Sequence, residues 1–82
     1  MTYYIYIGNT KHGATEAPLQ WALTQGYCLP IDVENDSARL EDNGDGSLYL
    51  TIDHNRKPDE TLGKAQGRNA QRITIEFYPQ NN

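Results

Sequence analysis

Four residues invite a chemical reading: the single cysteine Cys28, the two histidines His12 and His54, and Asp53 beside His54. A nucleophile needs a base within hydrogen-bond reach, and a metal needs donors at a recurring spacing. Cys28, His12 and His54 fall on three separate segments and show no ligand spacing. Cys28 lies in an apolar stretch and reads as a small buried hydrophobe. His54 next to Asp53 has the form of a polarised base, but a histidine at a strand end is commonly a solvated turn residue. The pattern predicts no catalytic residue, no metal ligand and no cofactor. A ligand-binding or enzymatic cleft built from His12, Asp53 and His54 is kept as an alternative.

Two glycine-bearing stretches hint at anion or cation binding. Residues 8–15 (Gly-Asn-Thr-Lys-His-Gly-Ala-Thr) carry the two glycines of a phosphate-binding loop. Ala14, however, stands where that pattern requires lysine. The glycines are more simply explained by backbone turning. Residues 41–46 (Glu-Asp-Asn-Gly-Asp-Gly) partly match a calcium loop. The match fails where Ile52 replaces the bidentate glutamate and strands replace the flanking helices. Asn, Asp and Gly are what a hairpin tip requires.

Charge is more informative. The 82-residue chain carries a net charge of −4. That sign disfavours non-specific binding to nucleic acid or anionic membranes and suits a basic partner. Residues 32–53 hold Asp32, Glu34, Asp36, Glu41, Asp42, Asp45 and Asp53 against Arg39 alone. Residues 54–72 hold Arg56, Lys57, Lys64, Arg68 and Arg72 against Asp59 and Glu60. The bland account is that these two segments attract one another within the fold. No stretch has the form of a signal peptide or an apolar span of ~20 residues, which predicts a cytoplasmic protein.

The elements that position these residues follow from periodicity. Residues 2–7 are β-branched and aromatic and read as a strand ending at Gly8. A polar loop follows, and Thr15 is placed to cap an amphipathic helix running to about Gln25, with Gly26 as its stop. Residues 27–33 look like a strand, but Pro30 lacks a ladder donor, which makes the segment an edge strand, a bent strand or extended loop. Residues 38–42 and 47–53 flank Asn43-Gly44-Asp45-Gly46 and form a hairpin. Residues 54–70 make a long connection, either helical in part from Pro58 or flexible, and 71–78 alternate as a final strand before a frayed tail.

The chain is therefore a single α+β domain, 1–82: a four- or five-stranded, mostly antiparallel sheet with one principal amphipathic helix packed on one face. Ile5, Ile7, Leu19, Leu23, Leu48, Leu50, Ile52, Ile73, Ile75 and Phe77 are the predicted core. The opposite face then carries Tyr4, Tyr6, Tyr49, Thr51, Asp53, Thr74, Glu76 and Tyr78.

Tyrosine is enriched in interface cores because it offers large area at low entropy cost. In format alone (short, acidic and without a catalytic constellation) the chain is similar to inhibitors and immunity proteins carried by phages and mobile elements. The leading expectation is a non-enzymatic protein that binds a partner with a basic surface. The residues assigned to binding are Tyr4, Tyr6, Glu34, Asp36, Glu41, Asp42, Tyr49 and Tyr78. Two alternatives stand beside it: nucleic-acid binding through Arg56, Lys57, Lys64 and Arg68, and a homodimer formed through the open sheet face.

Overall fold

A computed structural model describes residues 1–53 and 72–80. The fold is α+β: among the described residues, five antiparallel strands lie in the order β2-β1-β5-β4-β3, with two helices. The strands are β1 (Tyr3–Ile7), β2 (Thr10–Thr15), β3 (Ala38–Asp42), β4 (Leu48–Asp53) and β5 (Arg72–Pro79). The helices are α1 (Pro18–Gln25) and α2 (Pro30–Glu34). The last strand is thus the central one, paired with β1 on one side and β4 on the other.

Alternation on these strands sorts the side chains as expected. Ile5, Leu50, Ile52, Ile75 and Phe77 are fully buried. Ile7, Leu19, Leu23, Leu48 and Ile73 pack around them, half-buried. Ala22 of α1 is also fully buried, so this helix lies on the Ile75–Phe77 face. The core extends beyond the predicted set to Trp21, Tyr27, Cys28, Val33 and Ala38. Trp21 holds the two layers together: its ring stacks on Tyr27 at 5.5 Å and meets Phe77 edge-on at 6.3 Å.

The segment 8–15 is not a loop. Ile7 pairs with Thr10 across the two-residue turn Gly8-Asn9, and Thr10–Thr15 continues as β2. Gly8 has φ +62° while Asn9 does not take a positive φ, the signature of a type II′ hairpin turn. Gly13 (φ +94°) accommodates a bulge opposite Ile5, where the register shifts between Tyr4 and Tyr6. Both glycines serve backbone geometry, and the resemblance to a phosphate loop ends there.

The principal helix is shorter than predicted. It begins at Pro18, and Thr15 belongs to β2; the Thr15 hydroxyl accepts the Ala17 N–H at 3.1 Å without capping the helix. Gly26 stops it as expected, with φ +85°. Its N–H donates to Leu23 and the Tyr27 N–H donates to Ala22, the paired bonds of a Schellman ending. The Tyr27–Trp21 stack supplies the apolar contact that accompanies such an ending.

Residues 27–33 are not a strand either. Pro30 opens α2, where its missing N–H costs nothing and its fixed φ suits the first helical position. Asp32 is buried because its carboxylate turns back to accept the Leu29 N–H at 2.7 Å. Cys28 is buried, as the bland reading had it, but between two helices rather than on a strand. The β3–β4 hairpin and β5 lie where alternation puts them. Pro79 belongs to β5, and the Gln80 N–H donates to the Thr2 carbonyl, so this part of the tail is tied down. The connection 54–70, with its proposed helix, lies outside the described residues.

Because Phe77 is fully buried against Trp21 and opposite both Ile5 and Leu48, Phe77→Ala is expected to cost about 3–5 kcal/mol. Urea denaturation monitored by tryptophan fluorescence measures it.

Candidate interaction face

The face of the sheet away from the helices is built by the residues between the core positions. Across the middle, five of them stand in one row. Glu41 on β3 is opposite Tyr49 on β4, Tyr49 is opposite Glu76 on β5, Glu76 is opposite Tyr6 on β1, and Tyr6 is opposite Lys11 on β2. Directly paired side chains of this kind stand ~5 Å apart. The next row towards the chain end pairs Tyr4 with Tyr78.

The rings form a connected patch. Tyr6 meets Tyr78 edge-on at 5.6 Å. The Lys11 Nζ sits 4.1 Å above the centre of the Tyr4 ring, and Gln80 Nε2 donates to the Tyr4 hydroxyl at 3.1 Å. The Tyr78 hydroxyl donates to Glu76 Oε1 at 2.8 Å. That bond to a carboxylate is the main reason the Tyr78 phenol is pushed above its ordinary pKa; partial burial and the negative charges nearby add to it. Tyr78 is 39% exposed. Tyr4, Tyr6, Tyr49 and Glu76 are half-buried, while Glu41 and Lys11 are exposed. Among the described residues, no cation pairs with Glu41 or Glu76.

The other end of the same face is closed by ion pairs. Asp53 accepts from Arg72 Nε at 2.9 Å and from Arg39 Nη2 at 3.1 Å, tying β3, β4 and β5 together. Arg39 also donates to the Asp36 carbonyl at 2.8 Å.

The chain matches no family model, no curated protein and no solved structure. Function is therefore argued from this geometry alone.

The residues assigned to binding divide in two. Tyr4, Tyr6, Tyr49, Tyr78 and Glu41 come together on the open face. Glu34 ends α2 and Asp36 lies in the turn after it at φ +64°, so both are exposed but stand outside the tyrosine rows. Asp42 pairs with Leu48, a core-face position, and its Oδ1 accepts the Gly44 N–H at 2.7 Å. Asp45 likewise accepts both the Ser47 hydroxyl and its N–H, which hold its carboxyl below the usual range. Two of the acids that mimic a calcium loop, Asp42 and Asp45, are thus spent on the turn itself. Among the described residues, no group of three or more His, Cys, Asp or Glu is arranged to hold a metal.

His12 lies against α1, 6.3 Å from the Trp21 ring. Asp53 is on the opposite face and three strands away, ~14 Å across the sheet. These two do not form a cleft. His54, Arg56, Lys57, Lys64 and Arg68 lie outside the described residues. Glu76 is the residue that sequence reasoning did not single out for binding. Its signal was its position, an acid between Ile75 and Phe77 on the face that also carries Thr74 and Tyr78.

Two measurements check this electrostatic picture. Hydrogen bonds from Arg72, then Arg39, hold the Asp53 carboxyl below its ordinary pKa. A depressed folded-state pKa means the stabilisation is complete above the unfolded value of ~4 and is lost as pH falls through the folded value. Asp53→Asn should therefore lower the thermal midpoint at pH 7, with the gap to the native chain closing below pH ~4. In a spectrophotometric titration, one tyrosine should ionise above the ordinary range, and Glu76→Gln should lower its pKa.

Proposed function

We propose that this chain is a small non-enzymatic interaction protein of the cytoplasm, of the inhibitor or immunity type, which docks its tyrosine-bearing sheet face on a protein partner with a basic surface. The observation that carries this reading is the open face: Tyr4, Tyr6, Tyr49 and Tyr78 lie side by side with Glu41 and Glu76, and neither carboxylate has a described cation against it. Aromatic anchors with a charged fringe are the usual composition of a binding hot spot. Strand pairing holds these rings in place before binding, so little side-chain entropy is left to lose. The two carboxylates and the net charge of −4 favour encounter with a positive surface. No helix among the described residues is long and apolar enough to cross a membrane.

The test compares the native chain with a variant carrying Tyr6→Thr, Tyr78→Thr, Glu41→Lys and Glu76→Lys, each checked for fold by circular dichroism. Both are used to capture partners from lysate of the source cell, with and without nuclease. The expected result is one stoichiometric protein that survives nuclease and binds the variant at least ~100-fold more weakly. Association with the native chain should also slow as salt rises. Equal recovery by both chains, or recovery abolished by nuclease, overturns the reading.

A further inference from the structure

Within the open face, Glu76 occupies a particular position. It lies on the central strand, with Tyr6 directly opposite on one side and Tyr49 on the other. Its Oε1 accepts the Tyr78 hydroxyl, and Oε2 has no hydrogen-bond partner among the described residues. Strand pairing sets the Cβ atoms of Tyr6 and Tyr49 ~5 Å from that of Glu76, so the carboxylate stands in the trough between two tyrosines. Glu41 extends the negative charge beyond Tyr49.

Such an arrangement suits one kind of side chain. A cation bound at the carboxylate stands between two tyrosines, and a ring face attracts a cation at up to ~6 Å. The chain already makes half of this contact for itself one row away, where the Lys11 ammonium rests 4.1 Å over Tyr4. A guanidinium fits better than an ammonium. It is planar, stacks on aromatic faces, is weakly hydrated and presents paired donors to a carboxylate. Resting on the docking reading above, we infer that the trough formed by Tyr6, Glu76 and Tyr49 is the receptor for an arginine side chain projecting from the partner's basic surface.

A second copy of this chain is a poorer occupant. A two-fold pairing of open faces centred on the middle row sets Glu76 against its own copy at the heart of the interface. Two like carboxylates brought together there repel one another and lose their hydration, which opposes the pairing. The arginine reading neutralises the same carboxylate.

The experiment titrates the full chain with three capped tripeptides, Gly-Arg-Gly, Gly-Lys-Gly and Gly-citrulline-Gly, following backbone and aromatic resonances by NMR. Citrulline keeps the shape of arginine without its charge. The arginine peptide should bind saturably, with shifts centred on Tyr6, Tyr49 and Glu76. Lysine should bind more weakly, and citrulline about tenfold or more so. Glu76→Gln, which keeps the size of the side chain and an acceptor for Tyr78, should erase the preference for arginine over citrulline. Tyr6→Leu, which keeps the carboxylate, should weaken arginine binding severalfold. Equal binding of arginine and citrulline, shifts centred instead on Asp36, Asp42 and Asp45, or a concentration-dependent dimer with no arginine binding overturns the inference. If the captured partner still depends on Tyr6 and Tyr78 while the peptides fail, the arginine receptor falls and the docking face stands. If the peptides bind but the fourfold variant captures the partner unchanged, the docking reading falls instead.

Discussion

The structure depends on the insertion of β5 between β1 and β4. Ile75 and Phe77 each have a paired neighbour on both sides: Ile7 and Leu50 for Ile75, Ile5 and Leu48 for Phe77. Without β5, the β1–β2 and β3–β4 hairpins are separate two-stranded pieces, which are marginally stable at best in water. The principal helix also lacks much of its surface until β5 is in place, because Trp21 packs on Phe77. A sheet whose central strand comes last in the chain pairs residues far apart in sequence. Loop-closure entropy must therefore be met before most of the core is gained. This is a slow topology for so short a chain, and it concentrates the stability of the fold in one eight-residue segment.

The same strand carries the site. Its period of two sends Ile73, Ile75 and Phe77 to the helices and Thr74, Glu76 and Tyr78 to the open face. A slip of one residue would bury Glu76 and expose Phe77. Core burial thus enforces the register that places Glu76 between Tyr6 and Tyr49. The face needs no loop to arrange it, and its rings are held by the packing on the other side of the sheet. The bulge at Gly13 adds a local adjustment by resetting the edge register, so that Lys11 pairs with Tyr6 and reaches over Tyr4.

Where local pattern and tertiary role agree, the sequence was legible. The β3–β4 hairpin has alternating hydrophobics and an Asn-Gly-Asp-Gly tip, and β1 and β5 are rich in β-branched and aromatic residues. The open face was therefore readable before any coordinates. Two elements were not. Thr10–Thr15 has no apolar alternation, because β2 is an exposed edge strand that buries little. Only the Gly8-Asn9 pair, a two-residue turn signal, pointed to it. Tyr27–Val33 is a short apolar run, and periodicity cannot separate a buried strand from a helical turn at that length. Pro30, which argues only against a central strand, is the first residue of α2, with Asp32 two positions later as the acid that returns to the helix start. The site was half-legible for a related reason: alternation places side chains on a face, whereas clusters of charge in the sequence do not.

The acids of 32–53 look like a single negative surface in one dimension. In three dimensions Asp32 is consumed by a helix start, Asp42 and Asp45 by a turn, and Asp53 by two arginines. Each of these carboxylates already accepts from a protein donor, so it has less to offer a ligand than the net charge suggests. Glu41 and Glu76 differ because their neighbours across the strands are rings, which present π faces and only one hydroxyl bond to the pair. Recognition charge on this protein is what remains after the fold has taken its share, and what remains on the open face is framed by tyrosine.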